Sequence, residues 1–124
     1  MVLKVTVEKK ENGYIVYPVG ALDTDTYRNF ERIVTPLIDE APERIAVDMS
    51  KVGYVSSMGI GILIKVKKLV EEKGGIFAMT NLQSQIKKVF DVVKALPGMS
   101  IFESIEEADE YFDKVQKGKI QGIE

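Results

Sequence analysis

The chain has 124 residues, of which 45% are hydrophobic and 29% charged, and this composition predicts one packed domain rather than a disordered segment. Its 17 basic and 19 acidic residues are interspersed, so we expect no direct contact with nucleic acid. Histidine and cysteine are both absent, which excludes Ser-His-Asp triads, imidazole-based zinc sites, thiol catalysis and disulfides.

These exclusions favour a switch or a binding module over an enzyme, and we expect neither a metal nor a cofactor. No charged n-region followed by an apolar h-region opens the sequence, so we expect no signal peptide. The longest uncharged run, residues 52–64, is too short to span a bilayer. We therefore expect a cytoplasmic protein that does not contact the membrane.

An antiparallel hairpin is predicted at the start of the chain. Residues 2–9 alternate apolar and polar side chains, and residues 14–19 return as a second strand after an Asn-Gly turn at residues 11–13. Pro18 lacks an N–H, so the second strand should have an unpaired position near its end. Residues 20–22 are predicted to form a turn.

The next segment predicts an amphipathic helix followed by a strand. Residues 23–25, Asp-Thr-Asp, are N-cap types, and the apolar side chains from Tyr27 to Ile38 recur with helical spacing. Pro36 should kink or end this helix. Residues 44–49 have an apolar interior, which is typical of the middle of a parallel sheet.

The longest predicted helix occupies residues 57–73, after a loop at residues 50–56. Gly74 and Gly75 provide its C-cap. The apolar stripe predicted to face the core comprises Met58, Ile62, Val66, Leu69 and Val70.

The remaining elements alternate between strand and helix. Residues 76–80 predict a short buried strand, and Asn81 is expected to cap a helix that carries Ile86, Val89, Phe90 and Val93. Pro97 and Gly98 end that helix. Residues 100–102 predict a last strand, Ser104 and Glu107 form a capping box for a final helix, and residues 117–124 predict a frayed tail.

This order, β-β-α-β-α-β-α-β-α, predicts a single α/β domain over residues 1–116. Its sheet should be mixed and mostly parallel, with an antiparallel first strand and about four helices. Loops after parallel strands meet at one edge of such a sheet. Residues 20–25, 50–57 and 80–84 should therefore lie together, and we expect the functional site there.

The most informative stretch is the serine pair Ser56 and Ser57, where a strand passes into a helix. This position should expose a hydroxyl beside unpaired backbone N–H groups and the positive end of the helix dipole. One interpretation is that either serine is an N-cap; the other is that Ser57 accepts a phosphate, which a helix N-terminus accommodates well. Local chemistry leaves both open.

Five segments in a fixed order carry a family resemblance. They are GALDTDT at 20–26, DMS at 48–50, SSMGIG at 56–61, EEKGGIFAMTNLQSQIKKVF at 71–90 and IFESIEEA at 101–108. Through them, residues 4–116 resemble a STAS domain, in particular a small bacterial anti-sigma factor antagonist.

The resemblance implies a phosphorylation-controlled regulator of sigma-factor-dependent transcription. Such an antagonist binds an anti-sigma factor that is itself a serine kinase, and a PP2C-type phosphatase resets it. By motif position the phosphoacceptor is Ser57. The residue before the acceptor is usually aspartate and here is Ser56. This departure leaves open altered recognition by the kinase, constitutive binding or a divergent partner. The residues expected to contact the partner are Asp23, Thr24, Ser56, Ser57, Met58, Gly59 and Gly61.

Several alternatives stay open at this level. Asp23, Thr24 and Asp25 serve either as helix caps or as partner contacts, and Met58 packs in the core or contacts the partner. Gly59 and Gly61 indicate close backbone approach, to a neighbouring element or to the partner. A second function is a scaffold or sensor component of a larger signalling assembly, and a third is a small enzyme or nucleotide-binding protein.

Overall fold

The computed structural model describes residues 3–95, 110, 113, 114 and 116–118. These contain an α/β arrangement with an antiparallel first strand and parallel strands after it, as predicted. The elements are β1 (Lys4–Lys10), β2 (Gly13–Leu22), α1 (Tyr27–Asp39), β3 (Arg44–Asp48), β4 (Val52–Val55), α2 (Ser57–Glu72), β5 (Ile76–Thr80) and α3 (Ser84–Ala95).

The hairpin of β1 and β2 forms as the alternation and the Asn-Gly turn predict. Its register runs from Lys4 opposite Val19 to Lys10 opposite Gly13. Gly13 has a φ of +152°, and a Cβ there would collide with the backbone carbonyl of Arg44, approaching its carbon to 2.9 Å. Glycine is therefore required both by the turn and by the close approach of β3.

Strand β2 is longer than predicted and is shared by two parallel partners. Its residues 13–16 pair with β3, and residues 20–22 pair with β4. The predicted turn at residues 20–22 is therefore wrong, because this stretch continues the strand. Pro18 lies between the two paired stretches, where its missing N–H costs no bond to either parallel partner.

Strand β4 lies inside the segment predicted to be a loop, which is a second correction. A tight turn places it, with the N–H of Val52 donating to the carbonyl of Met49 at 3.0 Å and that of Gly20 donating to Lys51 at 3.0 Å. Val52 and Val55 are fully buried. The described order is therefore β-β-α-β-β-α-β-α.

The sheet has the order β1-β2-β3-β5, with β4 paired to the far end of β2. Helix α1 packs against β2 and α2, and α2 packs against β2 and β5. The core contains Val16, Leu22, Phe30, Val34, Ile38, Ile45, Val47, Met49, Val52, Val55, Ile60, Ile62, Leu63, Val66, Val70, Ile86, Val89 and Phe90.

Helix α1 continues past Pro36 to Asp39, so of the two effects predicted for the proline, a kink or an end, it does not end the helix. Two predictions about individual elements need correction. Strand β5 is only partly buried, with Ile76 61% exposed, because it lies towards one side of the sheet rather than at its centre. Asn81 does not cap α3: it has a φ of +56° and its side chain bonds Asp48.

Predictions for Pro97 and Gly98, for the strand at 100–102 and for the capping box at 104–107 fall outside the described residues. Near the C-terminus, residues 110, 113, 114 and 116 are helical, and residues 117 and 118 form a turn. Across the described ranges, each helix is too short or too polar to traverse a lipid bilayer.

Candidate functional site

The loops at the carboxyl ends of the strands meet, as the predicted topology requires. The N–H of Ser56 donates to the carbonyl of Leu22 at 3.0 Å. On the other side, the side-chain amide of Gln83 donates to the carbonyl of Ser50 at 2.9 Å, and that of Asn81 donates to Asp48 at 3.3 Å. These bonds join three segments that are distant in sequence and place the serine pair among them.

Ser56 is the N-cap of α2. Its backbone is extended, with φ −96° and ψ 178°, and its Oγ accepts a hydrogen bond from the N–H of Gly59 at 3.3 Å. Its carbonyl accepts the first helical bond, from Ile60 at 2.9 Å. The capping interpretation therefore applies to Ser56, and the two serines have separate structural positions.

Ser57 is the first residue of α2, and it is buried. Its side chain is 6% exposed, so the predicted exposed hydroxyl is wrong for this conformation. The first turn of an α-helix has N–H groups without intrahelical acceptors. The start of α2 therefore offers donors suited to an anion beside this side chain.

The contact between α2 and β2 is made at Gly59. A Cβ on Gly59 would overlap the carbonyl oxygen of Leu22 and lie 2.9 Å from its carbon. The predicted close backbone approach is thus present at Gly59. At Gly61 it is not, since a Cβ there would meet nothing within 4 Å and the residue is exposed.

The turn before α1 is organised by its own side chains. Asp23 Oδ1 accepts from the N–H of Asp25 at 2.9 Å and from that of Thr26 at 3.2 Å. The Thr26 hydroxyl donates to the carbonyl of Ala21 at 2.7 Å and is buried. Thr26, rather than Asp23, Thr24 or Asp25, is the N-cap residue of α1, although its side chain makes no capping bond. Sequence reasoning missed it because three better capping residues precede it.

Met58 lies at the surface rather than in the core. It is partly buried and borders a shallow hollow lined by Thr24, Asp25, Tyr27 and Arg28. A second hollow continues along the helix beside Gly61, Ile64, Lys65 and Lys68. We call the exposed or partly buried residues 58, 61, 64, 65 and 68 of α2 the α2 surface. Their spacing places them along one side of the helix.

Asp48 is a further polar residue of this edge. Its Oδ1 accepts from the N–H of Ser50 at 2.9 Å, and its Oδ2 accepts from Asn81. The hydrogen bonds from Ser50, and to a smaller extent that from Asn81, hold the pKa of Asp48 below its ordinary value of 3.8. Asp48 thus ties the end of β3 to the loop after β5.

The outer edge of β4 is bonded by glutamine side chains that sequence reasoning did not single out. The carbonyl of Gly53 accepts from Gln85 Nε2 at 3.3 Å. Gln116 bonds Val55 twice, accepting from its N–H at 2.9 Å and donating to its carbonyl at 2.7 Å. No sequence signal identifies these contacts, since they span more than thirty positions and depend on a strand that was not predicted.

Comparison with known proteins agrees with this architecture. The curated Anti-sigma-B factor antagonist of Bacillus subtilis is 25% identical over 92 residues, which cover 74% of this chain and 84% of that protein. The anti-sigma factor antagonist SpoIIAA in its unphosphorylated form superposes with a TM-score of 0.66 at 17% identity, covering 73% of this chain and 81% of the other. The phosphorylated form of the Bacillus cell fate determinant SpoIIAA gives 0.61 at 17% identity, covering 71% and 81%.

The two solved structures are too distant in sequence to show more than a shared fold. The family model described as the STAS domain, however, matches residues 4–108, which is most of the chain. That range contains the strand end at Asp48, the serine pair and the whole of α2. This chain therefore belongs to the STAS domain family.

Proposed function

We propose that this protein is an anti-sigma factor antagonist that binds a serine-kinase anti-sigma factor and is released when that kinase phosphorylates Ser57. The observation that carries the proposal is the position of Ser57, at the first residue of α2 where three strand-end loops meet. The protein would act in the cytoplasm through protein contacts alone, without catalysis and without touching DNA. A PP2C-type phosphatase would return it to the binding form.

The helix start suits a phosphate on Ser57. A phosphoserine carries about −1.5 to −2 charges near neutral pH. The N–H groups and dipole of a helix N-terminus stabilise such a charge by roughly 0.3–1 kcal/mol where it reaches solvent, which Ser57, 6% exposed, does only after local opening. In a complex the same phosphate would be desolvated against a partner surface shaped for a hydroxyl, and an uncompensated buried charge costs several kcal/mol. The modification therefore weakens the complex while leaving the domain folded.

The serine at position 56 supports this role rather than opposing it. The related motif has an aspartate there, whose carboxylate would serve as the helix cap. Ser56 supplies the same acceptor to the N–H of Gly59, so the cap is retained while one negative charge is removed. Ser57 then accepts its phosphate without a neighbouring carboxylate, which lowers the electrostatic repulsion on the phosphorylated form.

The partner would contact the α2 surface and the adjoining turn. Met58 and Ile64 supply apolar area and Lys68 supplies positive charge, whereas Lys65 is paired with Glu31 at 2.6 Å. Gly61 leaves a notch that admits close approach of another backbone. Thr24 and Asp25 lie exposed beside Met58. Asp23 acts here indirectly, by holding the turn that presents them.

The test is phosphate transfer by a serine-kinase anti-sigma factor, captured from cells with the purified protein as bait. Wild type, Ser57→Ala and the matched control Ser56→Ala are incubated with kinase and ATP, and mass spectrometry locates the phosphate. We expect incorporation into wild type and Ser56→Ala and none into Ser57→Ala, which should still bind the kinase. Phosphate on Ser56 or Thr80 would contradict the assignment, as would a partner that binds Ser57→Asp as tightly as wild type.

A further inference from the structure

We infer that the C-terminal segment is a removable cover that controls access to Ser57. We call residues 113, 114 and 116–118 the C-terminal strap. It lies against β4 through two side chains, Asp113 and Gln116, and the second of these bonds the residue directly before the serine pair. The regulatory meaning of this cover rests on the proposed function, whereas the covering itself is testable without a kinase.

Gln116 takes the place of a neighbouring strand. In a parallel strand, consecutive residues direct their N–H and C=O groups to opposite edges. The N–H of Ser56 faces β2, where it bonds the carbonyl of Leu22, so the N–H and C=O of Val55 face the outer edge. Gln116 satisfies both, at 2.9 and 2.7 Å, as the peptide group of another strand would. The edge of β4 is thereby closed at its last residue.

Two further contacts define how the strap is held. The hydroxyl of Tyr54 donates to Asp113 Oδ1 at 2.8 Å, one residue before Val55. Within the strap, Lys117 pairs with Asp113 at 3.1 Å. Gln85 bonds the same edge of β4 at Gly53, through one longer bond of 3.3 Å and from a different element, α3. Among the described residues, Gln116 is therefore the side chain that makes two bonds to this edge, at the residue directly before the serines.

These contacts are of a kind that opens without unfolding the domain. They are side-chain hydrogen bonds to one short strand, and each contributes only modestly in net terms. Segments held in this way detach locally at far lower free energy than global unfolding. Ser56 and Ser57 are 7% and 6% exposed, so a kinase requires some local opening before it reaches the Ser57 hydroxyl. Release of the strap from Val55 is the opening that the structure provides.

The absence of cysteine from the sequence gives a direct test. Ser57→Cys introduces a unique thiol, whose reaction rate with Ellman's reagent reports access to this position. The rate is compared in three backgrounds: otherwise wild type, Gln116→Ala, and the matched control Gln85→Ala, which removes an amide from the same edge. Separately, Ser50→Cys provides an exposed reference thiol. Circular dichroism verifies that each protein is folded.

We expect the thiol to react slowly in the wild-type background. With Gln116→Ala the rate should be about tenfold higher, because two hydrogen bonds of modest net strength are lost. Gln85→Ala should leave the rate unchanged. Equal rates in wild-type and Gln116→Ala backgrounds would overturn the inference, as would equal acceleration by both alanine variants or a wild-type rate that already matches Ser50→Cys. Should Gln116→Ala fail to fold, Tyr54→Phe loosens the other anchor and is judged by the same comparison.

Phosphorylation assays separate this inference from the proposed function. With the kinase, the protein carrying Gln116→Ala and the native Ser57 should be modified faster than wild type. If thiol access rises in Gln116→Ala but neither protein is phosphorylated at residue 57, the cover stands and the proposed function fails. If phosphorylation occurs at equal rates and thiol access is also unchanged, the proposed function stands and the cover fails.

Discussion

The two glycines in the first turns of α2 should respond in opposite directions to the same substitution. Gly59→Ala and Gly61→Ala each replace glycine in a helix, and alone this change stabilises by roughly 0.5–1 kcal/mol. At Gly61 the new methyl group meets nothing within 4 Å. We therefore expect Gly61→Ala to keep the whole gain.

At Gly59 the same methyl group meets the carbonyl of Leu22, approaching its carbon to 2.9 Å and its oxygen more closely still. The obstacle is backbone, and it is fixed by the hydrogen bond from the N–H of Ser56. Overpacking of this kind costs about 1–3 kcal/mol and occasionally more, which exceeds the helical gain. Because the helical gain is common to both variants, their free energies of unfolding should differ by the overpacking cost alone, roughly 1–3 kcal/mol.

Urea denaturation and thermal melting, both followed by circular dichroism, measure this difference. For a domain of this size 1 kcal/mol corresponds to about 4 °C in Tm. Gly61→Ala should melt about 2–4 °C above wild type, and Gly59→Ala several degrees below it. A Gly59→Ala protein as stable as wild type would refute the contact between α2 and β2. A Gly61→Ala protein that is stabilised but binds the partner more weakly would support the proposed role of the α2 surface.

Three further changes have defined outcomes. The Ser57→Asp protein should remain folded, with Tm within a few degrees of wild type. Its affinity for the partner, measured by calorimetry, should be at least about tenfold weaker. A large loss of helical signal would instead show that the change acts by unfolding the domain. The pKa of Asp48 is lowered in the folded state chiefly by the Ser50 N–H, so its carboxylate stabilises the fold above the ordinary pKa of 3.8, and this contribution is lost as pH falls through the lower folded pKa. Asp48→Asn should therefore be less stable than wild type at pH 7 and approach it in acid; a gap that is constant with pH, measured by urea titration, would contradict this. Ala41 has a φ of +51° after the C-cap of α1, so Ala41→Gly should stabilise by about 0.5–1 kcal/mol, and unchanged or reduced stability in urea denaturation would contradict the left-handed conformation.

The hairpin and α2 were predictable because their signals are local. Strict alternation and an Asn-Gly pair determine the first, and a capping serine followed by a helical apolar stripe determines the second. Strand β4 was not predictable in the same way, since it has four residues including a glycine. Its existence depends on pairing with residues 20–22, which look like a turn in isolation. The missed strand and the wrong turn are therefore one error, made because each strand stabilises the other.

The candidate site shows the same limit. Sequence reasoning identified Ser56 and Ser57 and left their roles open, and only the geometry separates a capping hydroxyl from the residue that follows it. The burial of Ser57 depends on contacts between distant elements, which no local pattern records. Likewise Gly59 and Gly61 are equivalent in the sequence, and only the carbonyl of Leu22 distinguishes them.

That carbonyl has a consequence for how the domain tolerates insertions and deletions. This carbonyl oxygen accepts a hydrogen bond from Ser56 and lies against Gly59. The end of β2, and not the remainder of α2, therefore fixes the position of Ser57. Extra residues at Gly74 and Gly75, beyond the far end of α2, would leave the serine where it is. A single residue inserted at 20–22 would displace it, since it would shift the strand end that holds the helix start. The number of residues at the end of β2, and not the length of the helix, determines where Ser57 lies.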